Sequence, residues 1–337
     1  MLNKVIRLVI STICIVFLLF NCVTSKSVFE IKENYSGKTE WNSTTKTLTF
    51  LTSGEINFKN QGDKSFIWKV PKVVQKIIIS ENCTVNGAFH TYSDIEIVGK
   101  NRKTSVLYGT ETQSWSQKHN IKPYTLSSFE SHKGKITIKN LTSLNPRSYH
   151  VRGLGSQVHL KNADFIDNRG GVHNHSDGIA AGDGSTVDNC YFETADDVIK
   201  VYNDITVTNT TINMIKNAVP IQLGWGNYPN NAVGTFKNIT IIGDSGRGSP
   251  YKSNPVIAGR SGSYTVTVNI DGITIDNPNG SLVNLWDDKN DGVYEKTVKG
   301  TIKNLTIKNL KTYSTQLKGY DKLIVYDTEG KKISKDF

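Results

Sequence analysis

The groups best suited to acid–base chemistry are concentrated between residues 173 and 202. The segment His173-Asn174-His175-Ser176-Asp177-Gly178 is followed, 19 residues after Asp177, by the pair Asp196-Asp197. If the chain coils with a period of about 20 residues, this interval stacks Asp177 beside the pair on the adjoining turn, about 5 Å away. The spacing therefore predicts three carboxylates in one patch.

A patch of three carboxylates is electrostatically costly unless one of them holds a proton. A glycosidase needs this division, because one carboxylic acid protonates the leaving oxygen while a second carboxylate activates water. Calcium also prefers clustered carboxylate oxygens, so a metal site is the alternative interpretation. Lys200 beside the cluster counts against the metal, since its ammonium supplies part of the charge that an ion would balance. His173 and His175 alternate along the chain, so at most one of them faces the patch.

The strand that follows the aspartate pair limits the directions in which the two aspartate side chains can point. Strand alternation with Ile199 and Val201 facing inward places Lys200 and Tyr202 on the outer side. Both aspartates then reach solvent only if the chain bends just before the strand, as chains often do next to active sites.

From about residue 75 the chain repeats a short β-branched alternation that ends in Asn. The Asn residues are Asn140, Asn162, Asn189, Asn209, Asn238 and Asn304. Short strands at intervals of 20 to 29 residues, without a competing helical stripe, are typical of a solenoid in which each coil covers its neighbour. Asn at the strand end suits a turn with positive φ. The repeat predicts a parallel β-helix, whereas a sandwich or barrel would need hairpin turns every 8 to 12 residues.

The repeat also divides the chain into expected segments. Two positive charges, the apolar run Leu8 to Phe20 and small residues after it indicate a secretory signal peptide over residues 1–25. We expect an N-terminal cap over 26–74, a β-helix over 75–310 and a C-terminal cap over 311–337. The apolar run is too short for a membrane-spanning helix. Lipid anchoring through Cys22 is less favoured, because small residues do not precede it.

Composition excludes several classes of function. Lys and Arg total 40 against 30 acidic residues, a net charge of +10 that falls to +8 once Lys4 and Arg7 leave with the signal peptide. No run of basic residues exceeds two, so the pattern of a nucleic-acid-binding protein is missing. A diffuse positive charge would suit an anionic polymer or serve only solubility. The two remaining cysteines, Cys83 and Cys190, are too far apart in sequence for a disulfide framework and are expected to be buried thiols.

Four motifs between residues 170 and 230 resemble the catalytic core of glycoside hydrolase family 49, the dextranases and isopullulanases. They are Asp177-Gly178, Gly184-Ser185-x-Val187, Asp196-Asp197-Val198-Ile199-Lys200-x-Tyr202 and Val219-Pro220-Ile221-Gln222-Leu223-Gly224-Trp225. The resemblance implies a right-handed parallel β-helix and hydrolysis with inversion, without a metal or other cofactor. Polygalacturonases are similar too, but their Gly-His-Gly and Arg-x-Lys elements do not follow Asp197 here.

By the same resemblance, Asp196 is expected to be the general acid, and Asp177 and Asp197 are the candidates for activating water. The expected sugar-binding residues are His175, Lys200, Tyr202, Gln222 and Trp225. The sequence thus predicts a secreted, monomeric hydrolase of α-linked polysaccharide, with a dextran-like glucan favoured. Two alternatives stay open: a β-helix hydrolase or lyase acting on an anionic polysaccharide, and a non-catalytic carbohydrate-binding β-helix.

Overall fold

The computed structural model describes residues 30–112, 118–169, 176–215, 218–224, 230–243, 255–259, 264–285, 296–316 and 322–332. These residues are almost entirely β-structure, with short 3-10 helices at Lys59–Lys64 and Pro123–Thr125. None of the described helices has the length and apolar character needed to cross a membrane. The predicted signal peptide over 1–25 lies outside the described residues.

Twenty-six strands belong to one continuous sheet. In chain order they are β1 (Thr39–Asn42), β2 (Thr47–Phe50), β3 (Gly54–Glu55), β4 (Ile67–Lys69), β5 (Lys76–Ile79), β6 (Cys83–Asn86), β7 (Ala88–Thr91), β8 (Ile95–Gly99), β9 (Ser105–Tyr108), β10 (Phe129–Ser131), β11 (Lys135–Lys139), β12 (Thr142–Leu144), β13 (Val151–Gly153), β14 (Gln157–Lys161), β15 (Asp164–Ile166), β16 (Ile179–Ala181), β17 (Ser185–Asp188), β18 (Tyr191–Thr194), β19 (Ile199–Lys200), β20 (Ile205–Met214), β21 (Ile221–Gln222), β22 (Asn230–Gly243), β23 (Pro255–Gly259), β24 (Tyr264–Leu285), β25 (Lys296–Gln316) and β26 (Lys322–Asp327).

Most strands up to β19 pair in parallel with the strand three places further along the chain. Thus β7 pairs with β10, β8 with β11 and β9 with β12, and the pattern repeats in the coils that follow. Each coil therefore contributes one strand to each of three faces, and successive coils stack along one axis. This is the parallel β-helix that the Asn repeat predicts.

Alternating side chains fill the interior of the coils. On the face that contains β7, β10 and β13, Phe89, Phe129 and Val151 point inward and are fully buried. On another face the rings of Phe165 and Phe192 stack with their centroids 4.8 Å apart. Burial of apolar surface between coils supplies the main stabilising term, because no single coil can cover its own inner face.

The repeated Asn residues form the predicted turns. All six Asn residues that define the repeat have positive φ. The amide of Asn162 donates to Oδ1 of Asn140 at 2.9 Å, and the amide of Asn189 donates to Oδ1 of Asn162 at 3.1 Å. The side chains thereby link one coil to the next as a ladder. Asn serves here because it tolerates the left-handed conformation and can also bond its neighbour.

The β-helix begins earlier than residue 75. Strand β2 pairs in parallel with β5, β3 with β6 and β4 with β7, so residues 47–69 form a first coil rather than a cap. Phe50 and Trp68 belong to its core. Two described features at this end depart from the parallel pattern: β1 is antiparallel to β2, and an isolated antiparallel bridge joins Tyr35 and Ile56. At the other end β26 continues the parallel stacking on β25, within the segment expected to be a cap. The expectation of buried thiols is confirmed, since Cys83 and Cys190 are both buried and unpaired.

Candidate active site

One face of the β-helix carries a line of side chains that point away from the core. The register of β7, β10, β13, β16, β19 and β21 aligns the outward positions, which we call the outer row: His90, Glu130, Arg152, Ala180, Lys200 and Gln222. Parallel strands lie about 4.8 Å apart, so the outer row is a continuous strip along the axis. The three candidate aspartates lie beside the strip, at the chain segments that lead into β16 and β19.

Asp177, Asp196 and Asp197 come together as the spacing predicts. Each of them presents a carboxylate oxygen, and these oxygens lie within 4.8 Å of one another. Backbone hydrogen bonds set this arrangement: the Gly178 N–H donates to the Asp197 carbonyl at 2.9 Å, which stacks Asp177 next to Asp197. The chain bends at Ala195 and Asp196, as expected, and this brings both aspartates of the pair to the same patch.

Gly178 makes the close stacking possible. A Cβ atom built at this position would lie 2.3 Å from the carbonyl oxygen of Val198, on the backbone of the next coil. Any side chain would therefore push the two coils apart just where the aspartates meet. The Asp-Gly pair in the sequence has this steric explanation.

Lys200 lies inside the acid cluster. Its Nζ is 2.6 Å from Asp177 Oδ1 and 2.9 Å from Asp197 Oδ2, and its side chain is 5% exposed. Strand alternation correctly predicts the outward direction of Lys200, but the neighbouring turns cover it. A buried ammonium that bonds two buried carboxylates stabilises their ionised forms, and all three groups would be costly to bury alone.

The electrostatics of the cluster differ among its carboxylates. Burial raises the pKa of Asp177 to about 8, and the charges of Asp196 and Asp197 add to this although Lys200 opposes it. Asp196 is the most exposed of the three, and its Oδ1 accepts a hydrogen bond from the Asp197 N–H at 3.0 Å. Burial and the neighbouring carboxylates thus favour the protonated form of Asp177, whereas Lys200 favours its ionised form.

Two tyrosines flank the cluster. Tyr149 lies two residues before the start of β13 and occupies the coil before Asp177, whose charge raises the Tyr149 pKa. Burial likewise raises the pKa of Tyr202 to about 12. The Lys200 Nζ lies 5.7 Å from the ring centroid of Tyr149 and 5.9 Å from that of Tyr202. Both phenols are therefore neutral at ordinary pH and can act as hydrogen-bond donors at the site.

Gln222 is the outer-row neighbour of Lys200 on β21. It is 1% exposed, and neither its amide nitrogen nor its amide oxygen has a hydrogen-bond partner of good geometry. Its effect on the Tyr202 pKa shows that the two side chains are close. A buried amide whose two polar atoms both lack well-formed hydrogen bonds is rare in folded proteins, and here it lies beside Lys200, which bonds the aspartates.

The structure thus brings together most of the residues singled out from the sequence. Asp177, Asp196, Asp197, Lys200, Tyr202 and Gln222 form one cluster. His175 and Trp225 lie outside the described residues. Sequence analysis missed Tyr149. The one feature of the sequence that could have indicated it is its position in the coil before Asp177, and the length of that coil departs from the regular repeat.

The metal interpretation is disfavoured by Lys200. Its ammonium sits against Asp177 and Asp197, the two most buried members of the possible ligand set. A divalent cation bound by the same oxygens would be close to a buried positive charge. The nearest oxygens of the three carboxylates lie within 4.8 Å of one another, closer than the 6.5–9.5 Å separation typical of inverting enzymes, so this spacing does not by itself support inversion.

Comparisons with known proteins agree with this fold. The chain is 26% identical over 174 residues to a dextranase from Arthrobacter sp. (strain CB-8), a match that covers 46% of this chain and 27% of that enzyme. The chain therefore spans only part of its relative. No family model matches the sequence.

Two solved structures are similar in fold. Dex49A from Penicillium minioluteum superposes with a TM-score of 0.50 and 15% identity, covering 83% of this chain and 56% of the other. The endo-xylogalacturonan hydrolase from Aspergillus tubingensis gives a TM-score of 0.51 and 13% identity, covering 83% and 78%.

Proposed function

We propose that this protein is a secreted, monomeric glycoside hydrolase that cleaves α-glycosidic bonds of a polysaccharide by general acid–base catalysis, with inversion. The observation that carries the proposal is the gathering of Asp177, Asp196 and Asp197 around the buried Lys200 on an outer face of the β-helix. The similarity to a dextranase supports an α-glucan as the first candidate backbone.

We assign the roles of the aspartates from their surroundings. Asp196 is the most accessible of the three, so it takes the position of the general acid next to the leaving glycosidic oxygen. Asp197 is bonded to Lys200 and serves as the base that activates water. Asp177, whose pKa is raised to about 8, carries a proton near Asp196 and does not act as a base, which departs from the role that the family resemblance gives it. Gln222 and Tyr149 hold the sugar hydroxyls next to the bond that breaks.

The proposal is tested by measuring reducing-end release from dextran, pullulan and polygalacturonate with the wild-type protein and Asp196→Asn. Removal of a general acid lowers the rate by roughly 10²- to 10⁴-fold. The matched control is Asp271→Asn, an exposed aspartate on β24 that accepts a hydrogen bond from Asn304, which the side-chain oxygen of an Asn could equally accept. We expect wild-type activity from the control, and equal activity of all three proteins would refute the catalytic role of the cluster.

Proton NMR of the first product decides the stereochemistry. Inversion predicts that the new reducing end of an α-linked substrate appears first as the β-anomer. The α-anomer as first product would show retention and would make one aspartate a nucleophile.

A further inference from the structure

A second cluster of titratable side chains lies on the outer row, toward the N-terminal end of the β-helix. His90, Glu130 and His132 present ligand atoms within 4.8 Å of one another. They line an open pocket of about 440 Å³ together with Lys64, Lys69 and Tyr92. Glu130 and Lys200 are separated by three strand spacings, which places the pocket about 14 Å from the acid cluster along the same strip. This distance corresponds to a few sugar residues of an extended polysaccharide.

The pocket contains a buried polar atom that lacks a partner. Glu130 is 3% exposed, and its Oε1 accepts a hydrogen bond from Arg152 Nη1 at 2.6 Å. Its Oε2 has no hydrogen-bond partner. A buried carboxylate oxygen of this kind is costly to leave unbonded, so it is suited to accept a hydrogen bond from a ligand hydroxyl.

Positive charge dominates the pocket. Lys64 and Lys69 are exposed at its edge, and neither forms an ion pair with a carboxylate of the described residues. Arg152 already balances the single carboxylate, Glu130. His90 is kept neutral by burial, which lowers its pKa to about 3, and His132 stacks on Tyr92 with ring centroids 4.6 Å apart. The two lysines are thus available for an anionic ligand.

An exposed aromatic ring lies on the path between the pocket and the acid cluster. Tyr124 is 41% exposed, and the guanidinium of Arg152 lies 5.3 Å from its ring centroid. Arg152 occupies the outer row one strand nearer to the acid cluster than Glu130. Sugar rings pack on exposed aromatic faces, so Tyr124 supplies a contact for the intervening sugars.

We propose that this pocket binds an acidic sugar of the substrate, with Lys64 and Lys69 pairing with its carboxylate and Glu130 Oε2 accepting from its hydroxyl. The inference rests on the proposed function, since it extends the same substrate chain from the acid cluster to the pocket. It names the substrate class as an acidic heteropolysaccharide, with an acidic sugar a few residues from the bond that is cleaved.

The acid cluster itself does not suit an acidic sugar. Its cation, Lys200, is buried and bonded to two aspartates. Even with one of the three carboxyl groups protonated, a single ammonium leaves a negative patch, which would repel a substrate carboxylate. The bond cleaved therefore lies between neutral sugars, while the acidic sugar occupies the pocket.

Calorimetric titration of the full chain with trigalacturonate and with isomaltotriose tests the inference. We expect trigalacturonate to bind and to bind more weakly at higher salt, and we expect Lys64→Gln/Lys69→Gln to weaken it roughly tenfold. The matched control, Lys237→Gln/Lys303→Gln, removes two exposed lysines from another face and should leave the affinity unchanged. The affinity for isomaltotriose, a neutral trisaccharide, should be changed by neither pair of substitutions.

Equal effects of the two lysine pairs, or no binding of trigalacturonate, would overturn the inference. A metal site at the same place would also overturn it. In that case the protein would bind Zn²⁺ and not trigalacturonate, and Zn²⁺ binding would be abolished by His132→Ala but kept in Lys64→Gln/Lys69→Gln. Titration does not require turnover, so pocket-dependent binding without hydrolysis would refute only the proposed function. Hydrolysis without pocket-dependent binding would refute only this inference.

Discussion

The acid cluster and the His90–Glu130–His132 pocket lie on the same outer row, yet their charges are arranged differently. In the acid cluster a cation that is 5% exposed bonds two buried carboxylates, Asp177 and Asp197. In the pocket a cation that is 27% exposed, Arg152, bonds one buried carboxylate, and two lysines stand at the rim. Crowded, buried acids favour proton transfer, whereas an open site with spare positive charge favours binding. One strip of a β-helix can thus hold chemistry and recognition a few coils apart.

The largest difference between the two regions is expected on removal of the cation. Lys200→Met keeps much of the side-chain volume but leaves two buried aspartates without their partner. We expect the free energy of unfolding at pH 7 to fall by about 3–5 kcal/mol. Urea denaturation followed by circular dichroism measures this free energy, and a loss below about 1 kcal/mol would show that Lys200 does not stabilise the buried aspartates.

Removal of the cation in the pocket should lower the free energy of unfolding by less. Arg152→Met leaves only Glu130 without its ion-pair partner, in a site that water can enter and that two lysines flank. We expect a loss of about 1–3 kcal/mol in the same assay. A cost equal to that of Lys200→Met would contradict the distinction between a buried and an open site.

The pH dependence of activity sharpens the comparison further. The pKa of Asp177 is raised to about 8, so the proton on Asp177 is present below that pH and lost above it. We expect kcat/KM to fall about tenfold per pH unit on the alkaline side. The same raised pKa makes the contribution of Asp177 to stability decline between about pH 4 and pH 8, because the unfolded chain gives up the proton first. Asp177→Asn should remove this decline, and an activity that stays flat to pH 10 would contradict a required proton on Asp177.

The sequence predicts the fold and the aspartates because both depend on local repetition. The Asn turns recur at nearly regular intervals, and Asp177 and the Asp196-Asp197 pair belong to consecutive coils without an insertion. The pocket could not be found in this way, since His90 and Glu130 are 40 residues apart and their coils are joined by a long connection. Strand alternation predicts which way a side chain points but not how far neighbouring turns bury it. Alternation therefore predicts Lys200 on the outer side, in a sugar site, whereas the structure buries its ammonium among the aspartates. The first coil was missed because β2 does not end in the Asn turn that marks the later coils.

The central claim is that the acid cluster carries out catalysis while the pocket on the same outer row binds substrate. Steady-state kinetics on the polysaccharide that the wild-type protein cleaves tests this claim most directly. Asp196→Asn and Lys64→Gln/Lys69→Gln are compared on that substrate. We predict that Asp196→Asn lowers kcat by at least about 10²-fold with KM nearly unchanged, and that the lysine pair raises KM with kcat nearly unchanged. A fall in kcat for the lysine pair, or an unchanged kcat for Asp196→Asn, would contradict the account.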